Sequence, residues 1–495
     1  MNPITPEKIF GPAFILSNHP GTPLPDAPVC TDSRRVTPGA IFAAIPGTRV
    51  NGVDFIPEAL DRGAAAILYA GDFAVPETTP VLFCRVADPR EAVSRLCRRQ
   101  AGEPDASLRV YGVTGTNGKT TSAYLLRHLL RAAEIPCGLV STVEYDDGCD
   151  RMPPTHTTPD PQTLFPLLAA MRDHGLRAAA MEFSSHALAQ KRLSGIRLHG
   201  GIFTNLTGDH LDFHGDMEHY YQAKKTLFTE LIEPGGVAAV NIDDPAGARL
   251  AGELTAERPD LKIPTFGVRS GAGWRISEME SDANGCRFVL SNAQQAYHTE
   301  FPLPGEYNIH NLAGVLTLLL CDGIAPEAVD AALAVPLTVP GRLEKIAAPG
   351  GACFFVDYAH TDDALTNVLR TLRPLCRNRL IAVFGAGGDR DRSKRPRMGQ
   401  AAAQGADKLI ITSDNPRSED PLEIIAQIVS GLPNTCDYEV IADRAAALRR
   451  AAEIAGPGDV VLVAGKGHET YQEIRGVRHH FDDREMLRTI LETAK

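Results

Sequence analysis

Apolar positions in this chain fall into short runs separated by helix-spaced patterns. Between residues 1 and 105 a helical pattern at Ile56–Arg62 leads into a strand-like run, Ala65–Tyr69, and the stretch closes in the linker-like Gln100–Ser107. From 106 to 338 strand-like runs at Leu108–Val113, Gly138–Val143, Ala178–Met181 and Gly201–Thr204 alternate with helical patterns at Ser122–Leu130, Met217–Leu231 and Leu312–Cys321. From 339 to 495 the runs Cys353–Tyr358, Leu380–Phe384, Lys408–Thr412, Tyr438–Ile441 and Asp459–Ala464 are separated by helical patterns. Such alternation predicts an α/β protein with parallel sheets, and 495 residues are too many for one core. The expected division is 1–105, 106–338 and 339–495, the last being a second doubly wound unit.

Composition then narrows the class. Hydrophobic residues make up 43% and charged residues 22%, ordinary for a globular protein. Fifty Lys and Arg against 61 Asp and Glu leave a net charge of −11 with no basic run, which argues against nucleic acid or an anionic membrane as the main partner. An anionic substrate must therefore be met by local groups. The ten cysteines include no C-x-x-C pair, Met1–Lys8 lacks the layout of a signal peptide, and no apolar stretch approaches bilayer length. Free thiols, a cytoplasmic location and no membrane insertion are the expectations.

Chemistry concentrates where strands end. Thr114-Gly115-Thr116-Asn117-Gly118-Lys119-Thr120-Thr121 lies between a strand and a helix. That context suits a phosphate cradle: glycines bring backbone N–H groups close to phosphate oxygens, the helix N-terminus adds positive potential, Lys119 reaches the β/γ-phosphates and the Thr120 hydroxyl can hold Mg²⁺. The motif reads as an ATP site, although the usual G-x-x-x-x-G-K-[ST] register would put its first glycine at Val113. Further polar strand ends are Glu182-Phe183-Ser184-Ser185-His186 and Thr204 to His214, the latter containing Asp209 and His210. In the last unit Asp357–His360, Gly385–Asp391, Ser413–Arg417 and Gly465–Glu469 share one sheet edge, the place for a binding site. Other residues stay open from the pattern alone. Ser33 and Arg34 fit a phosphate contact or a solvated turn, Asn308 a helix cap or a ligand amide, Lys224 a solvated helix charge, and Arg417 a surface pair with Glu419 or Asp420.

Taken together, the glycine turn, Glu182, His210, Asn308-x-x-Asn311, Pro340-Gly341-Arg342 and Asp357-Tyr358-Ala359-His360 resemble the Mur ligase family, over nearly the whole chain. His156-Thr157-Thr158-Pro159, Glu182–His186 and Asp414-Asn415-Pro416-Arg417 resemble the member that adds meso-diaminopimelate to UDP-MurNAc-L-Ala-D-Glu. The front unit and the Asp414–Arg417 cluster count against folylpolyglutamate synthase and against ligases adding alanine, glutamate or D-alanyl-D-alanine. One departure is Asp362, where the family usually has proline; only local loop geometry is at stake.

The resemblance implies a monomeric enzyme of three domains: a UDP-binding α/β domain, a central P-loop ATPase-type domain and a Rossmann-like domain. It implies ATP-driven amide formation through an acyl phosphate, with ATP and Mg²⁺ required. Thr120 and Glu182 would hold one Mg²⁺, and His210 with a carbamylated Lys224 a second; the pattern Tyr220-x-x-Ala223-Lys224-x-x-Leu227-Phe228 selects Lys224 over Lys225. Lys119, Glu182, His210 and Lys224 form the implied catalytic set. Residues 115–121 (Gly115, Thr116, Asn117, Gly118, Lys119, Thr120, Thr121), Asn308, Asn311, Arg342 and Asp357 would bind ATP. Ser33, Thr157, Thr158, Ser184, Gln190 and Arg192 would bind the UDP-dipeptide, and Arg390, Asp414, Asn415, Arg417, Gly465 and Glu469 the diaminopimelate. ATP would then lie between the second and third units, with a hinge near residue 339.

Overall fold

The structure, a computed structural model, describes residues 5–47, 50–282, 284–335 and 337–493; the outer ends of the expected first and third units, 1–4 and 494–495, lie outside these. Strands assemble into three large sheets that follow the chain in sequence, plus one hairpin. The first sheet has five strands, with Val29–Cys30, Ile41–Ala43, Ala66–Tyr69 and Leu82–Val86 parallel and Phe14–Ser17 antiparallel at the edge. Its inner strands are buried on both faces, the pattern of a parallel sheet covered by helices.

The second sheet has eleven strands. Arg109–Thr114 lies at its centre, flanked in parallel by Ala178–Glu182 and Leu198–Phe203. Beyond Leu198–Phe203 come Ile232–Asn241, Thr265–Gly267 and Trp274–Ser281, still parallel, and then antiparallel Cys286–Ser291 and Ala296–Phe301. This antiparallel wing departs from the all-parallel expectation. Its strands mix buried with exposed positions, as a sheet with one wetter face does, and follow one another without helices between them.

The third sheet runs Glu344–Ile346, Cys353–Asp357, Val460–Ala464, Leu380–Phe384, Lys408–Ile411 and Tyr438–Val440, parallel except for the first. The expected strands are matched to within one residue at each end, except that Gly138–Val143 is shortened to Cys137–Val140 and Gly201–Thr204 becomes Leu198–Phe203. The expected helix Met217–Leu231 is α-helical only to Thr226 and then widens into a π-helical turn, Leu227–Leu231, next to Lys224. Asp362 occupies the first turn of the helix Asp362–Leu372, a position that also suits proline, and Thr361 caps that helix by accepting from Ala364 N. Asp362 itself pairs with Arg397 at 3.2 Å.

Two junctions join the units. Helix Pro89–Gln100 and the first sheet share one apolar core with a face of the second sheet, running from Phe10, Leu68 and Leu96 through Leu164, Phe183 and Leu227. Between the second and third units the contacts are hydrogen bonds, with Tyr307 as an apolar anchor packed against the third core. No helix among the described residues is long and apolar enough to cross a membrane.

Candidate active site

Register fixes the site before any side chain is considered. Glu182 lies opposite Val113 and Phe203 opposite Thr114, so three strand ends emerge side by side at one edge, with the glycine turn in the middle. Gly118 begins the helix Lys119–Ala132 at φ +86°, a left-handed backbone, and a Cβ there would run into the Asn311 amide. Asn311, buried, donates to Asn308 Oδ1 at 3.1 Å, so the two expected adenine-nucleotide residues pack together against the turn. Asn308 is not the helix cap: Gly305 holds that place, and the Asn308 amide donates back to the Pro304 carbonyl. Lys119 Nζ donates to the Gly115 and Thr116 carbonyls at 2.9 and 2.7 Å, and burial lowers its pKa, against the pull of Glu182 and Asp209. Its charge is thus held inside the turn, aimed where phosphates would sit.

Glu182 is fully buried. Its carboxylate accepts from Thr142 N at 2.8 Å and Thr142 Oγ1 at 3.2 Å. Thr142 Oγ1 also lies 3.1 Å from Thr157 Oγ1, while Thr158 Oγ1 donates to the Glu182 carbonyl at 2.8 Å and accepts from Ser184 N. Ser184 caps the next helix by accepting from Ala187 N. Arg192 donates to the Thr158 carbonyl at 3.1 Å and forks onto Gln190 Oε1. Thr157, Thr158, Ser184, Gln190 and Arg192 are therefore brought together around Glu182. Ser33 stands apart, in the first unit, donating to Glu58 at 2.6 Å.

Lys224 is buried, and Nζ donates to the Gly115 carbonyl at 2.7 Å and sits 4.5 Å from the Tyr220 ring centre. It has no ion-pair partner among the described residues, and burial, with Lys119 nearby, pushes its pKa well below the ordinary lysine range. His210, at φ +55°, pairs with Asp209 at 3.3 Å and meets the His186 ring edge-on at 4.7 Å. Burial lowers its pKa, favouring the neutral imidazole that can ligate a metal. Among the described residues no three His, Cys, Asp or Glu side chains converge as metal ligands. The expected set draws instead on Thr120, Glu182, His210 and Lys224. An ammonium at 224 would repel Mg²⁺, whereas a carbamate, formed when a neutral amine adds CO₂ and loses a proton, would offer two hard oxygens of the kind the ion prefers.

The third unit closes the site. Arg342 donates to Thr120 Oγ1 at 2.9 Å and lies over the Tyr358 ring, 4.7 Å from its centre. Asp357 accepts from Leu343 N and Ala359 N, and burial raises its pKa. Asp363 accepts from Asn117 Nδ2 at 3.0 Å and Thr207 Oγ1 at 3.2 Å. At the far side of this unit Asn415 donates to Glu469 at 2.7 Å, and a Cβ on Gly465 (φ +112°) would strike Asp414, so the strand ends touch there. Arg417 makes no pair with Glu419 or Asp420; it donates to the Gly388 carbonyl at 2.6 Å, and Glu419 is taken by Arg392 and Arg395. Arg390 is exposed, at the loop rim.

Sequence reasoning missed Thr142, Asp363 and Arg444. Thr142 had a signal, since it lies near the end of a recognised strand-like run. Asp363 had one too, beside the Asp362 departure. Arg444, fully buried against Asp483 at 2.7 Å, donates to the carbonyls of Ser413 and Ala464 and so pins the two strand ends that carry Asp414 and Gly465. Nothing in its local sequence distinguishes it from a surface helix arginine.

Three segments match known families: residues 113–319 the Mur ligase middle domain, 341–467 the Mur ligase glutamate ligase domain and 28–101 the Mur ligase family catalytic domain. A protein of Parabacteroides distasonis called UDP-N-acetylmuramoyl-L-alanyl-D-glutamate--2,6-diaminopimelate ligase is 43% identical over 477 residues, 94% of each chain. One of the same name from Geobacter metallireducens is 39% identical over 475 residues, 92% of each. A solved structure of a ligase of that name superposes with a TM-score of 0.69 at 34% identity, covering 99% of both chains. MurF from Acinetobacter baumannii, at 18% identity and a TM-score of 0.63 over 99% of this chain and 98% of its own, shares the fold.

Proposed function

The chain belongs to the Mur ligase family, and on that premise we propose that it is the ATP-dependent ligase joining meso-diaminopimelate to the D-glutamate side-chain carboxyl of UDP-MurNAc-L-Ala-D-Glu, a step of peptidoglycan precursor synthesis. The observation that carries the reading is the convergence of Lys119, Glu182 and Lys224 at one sheet edge, faced by Arg342 and Asp363 from the third unit. We take residues 1–105 as the UDP-sugar unit, 106–338 as the ATP unit and 339–495 as the amino-acid unit, acting in a cytoplasmic monomer.

In this reading the substrate carboxylate attacks the γ-phosphorus, the bond to the β-phosphate oxygen breaks and ADP leaves. The amine of diaminopimelate then attacks the acyl carbon, phosphate departs and the nitrogen loses a proton. Lys119 meets charge developing on the transferred phosphoryl oxygens, and Arg342 adds a second cation from the facing unit. Thr142 fixes the direction of Glu182, while Thr157, Thr158, Ser184, Gln190 and Arg192 hold the dipeptide end of the acceptor, with Ser33 toward its uridine part. Asn308, Asn311 and Asp357 border the nucleotide. Mg²⁺, held by Thr120, Glu182, His210 and carbamylated Lys224, would neutralise phosphate charge. Closure about a hinge near residue 339 keeps water from the acyl phosphate.

At the amino-acid end, Arg417 offers a planar fork to the carboxylate that distinguishes diaminopimelate from lysine, Asp414, Asn415 and Glu469 receive the ammonium beside it, and Arg390 meets the other carboxylate. The test is a ligation assay offering meso-diaminopimelate and L-lysine side by side. Wild-type enzyme should use the first and ignore the second. Arg417→Ala should raise KM for diaminopimelate about 10- to 100-fold, the loss of one charge-assisted contact, with the other two constants little changed. Equal use of both amino acids would remove the specificity assignment and leave the general ligase.

A further inference from the structure

Lys466 follows the strand Val460–Ala464 and is completely buried, a position lysine rarely takes without a partner. Its ammonium donates to Glu469 Oε2 at 3.2 Å, to Asn415 Oδ1 at 3.2 Å and to the Tyr471 carbonyl. Three donors meet three acceptors, so nothing is left for a ligand. Asn415 Nδ2 donates to the same Glu469 oxygen at 2.7 Å, and Asn415 Oδ1 accepts from Glu473 N at 2.9 Å. The lysine thus lies beneath the loop Asp414–Arg417, tying it to the Gly465 strand end and to the hairpin of Tyr471–Ile474 and Val477–His480. Oε2 of Glu469 is filled from below, and Oε1 accepts no hydrogen bond from the described residues.

We propose that Lys466 is a positioning residue for the incoming amino acid: it locks Glu469 and Asn415 so that Oε1 of Glu469 faces out to receive the ammonium group of diaminopimelate. The inference rests on the amino-acid site assigned above. Charge balance supports it. Asp414 and Glu469 bring two negative charges against one from Lys466, and the remainder matches one substrate ammonium. The groups facing Glu469 are Asp414, Lys466, Asn415, Tyr358, Tyr471 and, further off, Arg444. Burial and Asp414 raise its pKa, and Lys466 opposes them. Without the lysine, Glu469 would hold its proton to higher pH and lose its acceptor charge.

Steady-state kinetics of the full-length Lys466→Met enzyme test this. Expected is at least a tenfold rise in KM for diaminopimelate, about the worth of one charged contact, with the KM values for ATP and UDP-dipeptide within about twofold. The ratio of variant to wild-type KM should shrink as pH rises from about 7 to about 9, as Glu469 ionises without its counter-charge. A merely structural lysine would move all three constants or the melting temperature together, with no pH trend, and that result overturns the proposal. Should the single variant fail to fold, Lys466→Met/Glu469→Gln removes both members of the ion pair together and is compared with Glu469→Gln alone. Similar diaminopimelate KM values for these two support action through Glu469, and a tenfold gap overturns it. A wild-type enzyme that forms no product with diaminopimelate overturns the functional reading as well; normal wild type with an unmoved Lys466→Met overturns this inference alone.

Discussion

The two junctions of this molecule are built from different materials. Between the first and second units runs one apolar core, and Ser94, fully buried, donates to the carbonyls of Arg192 and Ser194 at 2.9 Å each. Between the second and third units lie Arg342 on Thr120, Asp363 on Asn117 and Thr207, and Tyr307 as a pivot. Apolar burial contributes about 25 cal/mol per Å² and is lost all at once when surfaces part. A hydrogen bond exchanged for water changes stability by only about 0.5–1.5 kcal/mol. The first junction therefore holds fixed geometry around Arg192, and the second is the one the proposed closure on ATP would use.

The largest expected effect lies at the polar junction. Lys119→Ala should lower product formation at least about 10³-fold, because no other side chain of the glycine turn carries positive charge to the γ-phosphate. UDP-dipeptide binding, measured by calorimetry, should survive, and its loss in a folded variant would break the separation of the two ligand sites. Next comes Ser94→Ala at the apolar junction, which removes the one hydroxyl that the two carbonyls share. It should lower stability by about 1–3 kcal/mol in denaturant unfolding while leaving the KM for ATP unchanged. Asp363→Ala should do the reverse: a roughly 2- to 10-fold change in kcat/KM for ATP with the melting temperature held. If Asp363→Ala destabilises the fold as much as Ser94→Ala, the contrast between the junctions fails.

The smallest effect is a control inside the second sheet. His199 bridges Glu233 at 3.0 Å and Asp322 at 2.9 Å, and those bonds raise its pKa. A raised folded pKa means that this contribution is full below the ordinary histidine value, about 6.5, and is lost as pH climbs through the folded value. The stability advantage of wild type over His199→Gln should therefore shrink from pH 6 upward, seen as converging melting temperatures, with no matching trend in kcat. A gap that widens with pH would reverse the assignment.

Much of this was legible in the residues. Strand runs of the third unit were readable because each is short, mostly apolar and bounded by polar turns, and Thr114–Thr121 announced itself by its glycines. The antiparallel wing 274–301 was not, since mixed exposure hides its strands among polar residues. Within the site, Glu182 and His210 were visible as polar residues at strand ends. Asp363 and Arg444 act across units or beneath strand ends, through contacts between residues separated by 246 and 31 positions. Periodicity reports the face on which a residue lies, and says nothing of a partner so far along the chain.

The backbone at Arg417 is left-handed, φ +51°, a conformation that strains a non-glycine residue by about 1 kcal/mol. It is held there by the hairpin, with Arg417 N donating to the Glu473 carbonyl at 3.0 Å and Arg475 N to the Arg417 carbonyl at 2.6 Å. In evolutionary terms, if Arg417 chooses the amino acid as proposed, that choice is inherited as a block. A lineage that exchanged only position 417 would alter the head group and keep a backbone shaped for the old one, whereas drift in the hairpin would misaim an unchanged arginine. A new appetite requires both segments to change together, so intermediate sequences would serve neither substrate well.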